Sequence, residues 1–171
     1  RLNASSTDDS EHGSKTNLPA PNVFTYTSAV VALAEAGKWR DAVRTFDAMP
    51  KHLERNEAIV NAAVSAASYG KDWRCAVRLL DEAVTGGTVP RASSFNMAFK
   101  ALAEGRQPAA ALALLRRMRQ SGCRPNLLTM NAVLRALETA GRWRQAAKLL
   151  REMQVEKIKP NLISYNLAVG A

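Results

Sequence analysis

Residues 127–161 read LLTMNAVLRALETAGRWRQAAKLLREMQVEKIKPN, and this stretch decides the fold. Its first half places Val133, Leu134 and Leu137 on one face at helical spacing, and Gly141 punctuates the end. Its second half repeats the pattern with Ala146, Ala147, Leu150 and Met153 at i, i+1, i+4 and i+7, then stops before Pro160. The spacing predicts two helices joined by a tight turn.

The same pattern recurs along the chain. Asn61, Asn96, Asn131 and Asn166 are each 35 residues apart, as are Pro90, Pro125 and Pro160. Ala42, Ala76, Ala111 and Ala146 step by 34, 35 and 35, and Met49, Ala83, Met118 and Met153 follow them in register. The units run 23–56, 57–91, 92–126 and 127–161, with a fifth beginning at Leu162 and continuing to Ala171. Thr25, Ser93, Thr129 and Ser164 are expected to cap the first helices, and Gly37, Gly70, Gly105 and Gly141 to mark their ends. A lone hairpin of this size cannot cover its apolar face, whereas stacked hairpins can. The expected fold class is therefore all-α, a right-handed α-solenoid of helix-turn-helix repeats. Trp39, Trp73 and Trp143 open the second helices, where the third unit has Pro108, and they are expected to pack between hairpins.

Composition agrees. The chain holds 30 alanines against 10 aromatic residues in 171, which favours helices over a β-sandwich or barrel. No uncharged apolar run nears the ~18–20 residues that span a bilayer. Cys75, Cys123, His12 and His52 have no zinc-binding spacing, and no phosphate loop or nucleophile motif is present. The expectation is a non-enzymatic protein with no metal and no cofactor. Residues 1–22 are rich in Ser, Thr, Asn, Asp, Gly and Pro, and this segment is expected to be a low-complexity tail. The chain starts at Arg1 rather than Met, as it would after removal of an organellar targeting peptide or after trimming.

The units resemble the pentatricopeptide repeat, which reads roughly V-x-T-Y-N-x-L-I…G-x-x-x-x-A…F-x-x-M…G-x-x-P-N/D. Val23-Phe-Thr-Tyr-Thr27 and Leu162-Ile-Ser-Tyr-Asn166 match its opening. Ser121-Gly-Cys-Arg-Pro-Asn126 and Glu156-Lys-Ile-Lys-Pro-Asn161 match its close. The likeness covers residues 23–171 and is closest to the P-type unit of about 35 residues. It implies an organellar protein, in mitochondrion or plastid, that binds single-stranded RNA, one base per unit, through the unit's fifth and last residues. The second residue would clamp the base from the side.

Carried onto this chain, the resemblance implies base reading by Thr27 with Asn56, Asn61 with Arg91, Asn96 with Asn126, Asn131 with Asn161, and Asn166. The implied target is A-N-Y-Y-Y. Phe24, Leu128 and Ile163 would be base clamps, where the second and third units have only Ala58 and Ser93. The first unit is one residue short and has Arg55 in place of proline.

The net charge of +9 is concentrated in the third and fourth units, which hold six basic residues to one acidic and seven to three. Arg116, Arg117, Arg119, Arg124, Arg142, Arg144, Lys148 and Arg151 are the candidates for an anionic partner. Two functions fit these features. One is RNA binding for protection or recruitment. The other is a scaffold subunit of a large organellar assembly (a mitochondrial ribosome, or a respiratory or photosynthetic complex), docking protein or rRNA.

Overall fold

The computed structural model describes residues 21–50 and 52–171. The tail reading for residues 1–20 lies outside them. Among the described residues there are nine α-helices and no strand: α1 (Val23–Glu35), α2 (Trp39–Asp47), α3 (Glu57–Tyr69), α4 (Trp73–Thr85), α5 (Ala92–Glu104), α6 (Pro108–Gln120), α7 (Leu127–Glu138), α8 (Trp143–Val155) and α9 (Leu162–Val169). The odd-numbered helices pack side by side in chain order and form an inner layer. Each even-numbered helix packs on the first helix of its own hairpin and on that of the next, forming an outer layer. This is an all-α solenoid.

The periodic columns are its core. Ala42, Ala76, Ala111 and Ala146 are each 0% exposed, and Met49, Met118 and Met153 are buried with them. A larger side chain at the alanine column would cost about 1–3 kcal/mol through overpacking. The inner helices bury Phe95 and Phe99 in α5 and Met130, Leu134 and Leu137 in α7. The shortened first unit is accommodated by α2, which has nine residues where α4, α6 and α8 have thirteen. Arg55, in the proline position, bonds Glu82 at 3.0 Å and lies over the Phe46 ring at 4.3 Å.

Two sequence expectations are corrected. Thr25, Ser93, Thr129 and Ser164 are not the caps. Asn22, Asn56, Asn126 and Asn161 cap α1, α3, α7 and α9, accepting from the backbone N–H groups of Thr25, Ile59, Thr129 and Ser164. Asn and Thr are both competent caps, and the extended backbone that a cap requires falls on the asparagines, as at Asn126 (φ −121°, ψ 178°). Ser93 is the second residue of α5, whose N-cap Arg91 makes no side-chain cap bond.

The glycines also divide. Gly37 and Gly141 have φ of +72° and +66° and make the turn, but in the second and third units Lys71 (φ 58°) and Arg106 (φ 51°) occupy that position. Gly70 and Gly105 stand one residue earlier and serve a different need. A Cβ on Gly70 would lie 2.3 Å from the Trp39 ring, and one on Gly105 would lie 2.7 Å from Trp73. Trp39 and Trp73 thus each close onto a glycine of the next hairpin, whereas Trp143 is 57% exposed rather than packed between hairpins. Where the preceding unit has Pro108 instead, the equivalent residue is Ala140.

Candidate nucleic-acid interface

The inner face carries the candidate base-reading side chains, because the fifth residue of each unit falls on the first helix one turn in from its cap. Asn61, Asn96 and Asn131 occupy this place on α3, α5 and α7. Each amide oxygen accepts a hydrogen bond from a hydroxyl of the following hairpin: Ser94 Oγ to Asn61 at 3.0 Å, Thr129 Oγ1 to Asn96 at 2.8 Å, and Ser164 Oγ to Asn131 at 2.6 Å. All three hydroxyl residues are 0% exposed. The Thr129 and Ser164 hydroxyls also lie 3.0 Å from the capping oxygens of Asn126 and Asn161. In the third and fourth units, therefore, the fifth and last residues meet at a single buried hydroxyl. Asn131 Nδ2 additionally approaches Asn161 Oδ1 at 3.4 Å.

The first two units are built differently. Thr27 donates its hydroxyl to Val23 O of its own helix at 2.7 Å, and Ile59 stands where the later units have the bridging hydroxyl. Asn56 caps α3 at 3.0 Å from Ile59 N. Arg91 pairs through Nε with Glu57. Asn166 is exposed on α9.

Two depressions run along this face. One of about 740 Å³ brings Asn96, Asn131, Leu128 and Ile163 together with Lys100, Glu104 and Arg135. The other, about 800 Å³, brings Asn61 and Arg91 together with Ala58, Ser93, Glu35, Glu57 and Tyr69. Phe24, Thr27 and Asn56 line neither depression. Leu128 and Ile163 are 64% and 52% exposed, so both offer apolar surface to a ligand.

Lys100 and Arg135 are the functional candidates that sequence reasoning missed. They are exposed, 35 residues apart, and one helical turn beyond Asn96 and Asn131. Lys100 also sits 5.8 Å from the centre of the exposed Tyr69 ring. Extending the asparagine column by four residues would have found them.

The basic residues singled out from the charge count lie on the outer helices and turns. Arg117 pairs with Asp81 of α4, and Arg119 with Glu152 (3.1 Å) and Glu156 of α8. These pairs, like Arg78 with Asp47 at 3.0 Å, bridge successive outer helices. Arg116, Arg124, Arg142, Arg144, Lys148 and Arg151 are exposed and have no carboxylate within 4.0 Å among the described residues. Burial pushes the Cys75 and Cys123 thiols up, which leaves neither activated as a nucleophile.

Three family profiles match the chain: the PPR repeat over residues 24–52, the pentatricopeptide repeat domain over 78–139, and the PPR repeat family over 125–171. The chain belongs to the pentatricopeptide repeat family. The crystal structure of the pentatricopeptide repeat protein PPR10 from maize superposes with a TM-score of 0.74 at 17% identity, over 87% of this chain and 22% of that one. The same protein in complex with an 18-nt psaJ RNA element gives 0.69 at 25% identity, over 91% and 23%. The PPR domain of Arabidopsis thaliana protein-only RNase P 1, in complex with tRNA, gives 0.69 at 14% identity, over 83% and 76%. The chain thus spans less than a quarter of PPR10. Among curated proteins none matches. Among the described residues no helix is long and apolar enough to cross a membrane.

Proposed function

We propose that this chain is a non-catalytic RNA-binding module of an organelle, holding a short single-stranded segment along its inner face for protection or recruitment. The observation that carries this reading is the depression around Asn96 and Asn131. There Asn96 and Asn131 stand in register between exposed apolar residues, Leu128 and Ile163, with Lys100 and Arg135 one turn away. An unpaired base needs these three things: polar groups at its edge, apolar surface at its faces and cations near its phosphates. RNA in the complexes of PPR10 and of protein-only RNase P 1 supports the reading.

The test is titration of an A-N-Y-Y-Y RNA against a scrambled control, with wild-type and Asn96→Ala/Asn131→Ala protein. The expected result is selective wild-type binding that weakens by about tenfold in the double variant, at ~0.5–1.5 kcal/mol per lost hydrogen bond. Equal affinity in all four combinations would overturn base reading.

The scaffold reading has one observation of its own. Arg144, Lys148 and Arg151 form an exposed stripe at i, i+4 and i+7 on α8, with Arg116 in the matching place on α6. Binding carried by that stripe would be sequence-blind and steeply salt-dependent. Loss of binding on reversing Arg144 and Lys148, with Asn96→Ala/Asn131→Ala inert, would favour docking on rRNA or an acidic protein.

A further inference from the structure

We propose that Ser94, Thr129 and Ser164 are positioning residues that set which hydrogen-bonding group each repeat shows to a base. This deepens the RNA-binding reading and rests on it. An asparagine amide can present either its oxygen or its NH2, and the two choices select opposite base edges. Here the choice is made by the next hairpin. A hydroxyl buried to 0% exposure donates to Oδ1 of Asn61, Asn96 and Asn131, which leaves Nδ2 as the hydrogen-bonding group of the amide still available to a base, with one Nδ2 hydrogen of Asn131 directed at Asn161 Oδ1 at 3.4 Å.

Three details argue that the hydroxyl proton goes to the amide of the preceding hairpin. The contacts to Asn96 and Asn131 (2.8 and 2.6 Å) are shorter than those to the capping Asn126 and Asn161 (3.0 Å each). The capping oxygens are already served by the backbone N–H groups of Thr129 and Ser164, at 2.9 and 3.0 Å. Asn161 N also donates to Ser164 Oγ at 3.2 Å, which spends an acceptor site of that hydroxyl and leaves its proton free to donate. The last residues are locked in the same sense, since their oxygens are held as caps and only their NH2 groups remain to donate.

The third and fourth units therefore present donors and no amide acceptor. Such a pair suits a base edge with adjacent acceptors. Cytosine offers N3 and O2 as adjacent acceptors, whereas in uracil the acceptors O2 and O4 are separated by N3–H, and guanine sets its single acceptor O6 beside the donors N1–H and N2–H2, which oppose a donor. Among the described residues the device occurs three times, each time with asparagine before it. Where the fifth residue is Thr27, the matching residue of the next hairpin is Ile59, which has nothing to donate.

The experiment measures affinity for four RNAs that differ only at the third base of A-N-Y-Y-Y, and for four that differ only at the fourth. Wild type, Thr129→Val, Thr129→Ser and Ser164→Ala are compared. Removing the hydroxyl at residue 129 frees the Asn96 amide to turn. The cytosine-over-guanine ratio at the third base should then fall by about fivefold, the worth of one hydrogen bond, with the fourth base unaffected. Ser164→Ala should do the converse, and Thr129→Ser should keep the wild-type ratios. A purely structural role would lower affinity evenly for all eight RNAs, and that result overturns the proposal. Unchanged ratios in Thr129→Val overturn it too, while wild-type binding leaves the RNA-binding reading standing. Failure of wild type to bind any of the RNAs removes both.

Discussion

The two depressions of the inner face are made by equivalent helices in the same register, α1, α3 and α5 for one and α5, α7 and α9 for the other, yet they offer a ligand opposite surroundings. The one around Asn96 and Asn131 has two cations to one carboxylate, with Leu128 and Ile163 exposed beside them. The one around Asn61 has two carboxylates, Glu35 and Glu57, to one cation, and its clamp positions are Ala58 and Ser93. The joints between hairpins differ in the reverse sense. Units one to three are locked by Trp39 on Gly70 and Trp73 on Gly105, whereas the next joint has Pro108 and Ala140 at the equivalent positions. The lesson is that repeats of one fold divide the labour. The early units carry the tryptophan-on-glycine contacts, and the later ones carry the cations and apolar surface suited to an anionic chain.

The largest test of this asymmetry is charge reversal within the later groove. Lys100→Glu/Arg135→Glu should weaken RNA binding about 100-fold at low salt and flatten the salt dependence by about two ion equivalents. Reversing Arg144 and Lys148 on the outer face should change affinity by no more than about threefold. Fluorescence anisotropy across a salt series reads both. Comparable losses from the two pairs would erase the distinction between inner and outer cations.

The next effect is on stability and belongs to the early units. Ala is ordinarily a better helix residue than Gly, yet Gly105→Ala should destabilise the chain by about 1–3 kcal/mol, because the new methyl meets the Trp73 ring. At the matching place in the fourth unit, Ala140 lies in the turn after α7, and Ala140→Gly should cost only about 0.4–1 kcal/mol, the added chain entropy of the unfolded state. Thermal or urea unfolding measures both. A Gly105→Ala protein as stable as wild type would show that Trp73 is free to move aside, and the proposed lock would be lost.

Much of the fold was legible because burial in a solenoid repeats with the unit. Ala42, Ala76, Ala111 and Ala146 meet the same neighbours four times over, and that leaves a column. Pairwise relations between units left weaker traces. Trp39 and Gly70 were each visible alone, but that one excludes a side chain from the other is a fact of their contact. Thr129 and Ser164 were read as caps because Ser, Thr and Asn all cap helices. Only the neighbouring hairpin shows that the asparagine caps while the hydroxyl reaches across. Lys100 and Arg135 were passed over because charge summed by unit gave most weight to α6, α8 and their turns. The same charge sorted by helical register points into the groove.

The smallest effect probes why the early groove is poorer, and it should improve binding rather than harm it. Glu57 pairs with Arg91, whose side chain is still 76% exposed, and so occupies the one guanidinium this depression offers. An exposed pair of this kind contributes only about 0–1 kcal/mol to folding, so Glu57→Gln should leave the melting temperature nearly unchanged. It removes a negative charge from the path of the phosphates and frees Arg91 to meet one. Affinity for A-N-Y-Y-Y RNA should rise by about two- to threefold at low salt, with a salt dependence steeper by about one ion equivalent. The gain should vanish in Glu57→Gln/Arg91→Ala. If the single variant binds no better than wild type, the contrast between the two depressions lies in apolar surface, Leu128 and Ile163 against Ala58 and Ser93. Ala58→Leu would then be the substitution that makes the early groove behave like the later one.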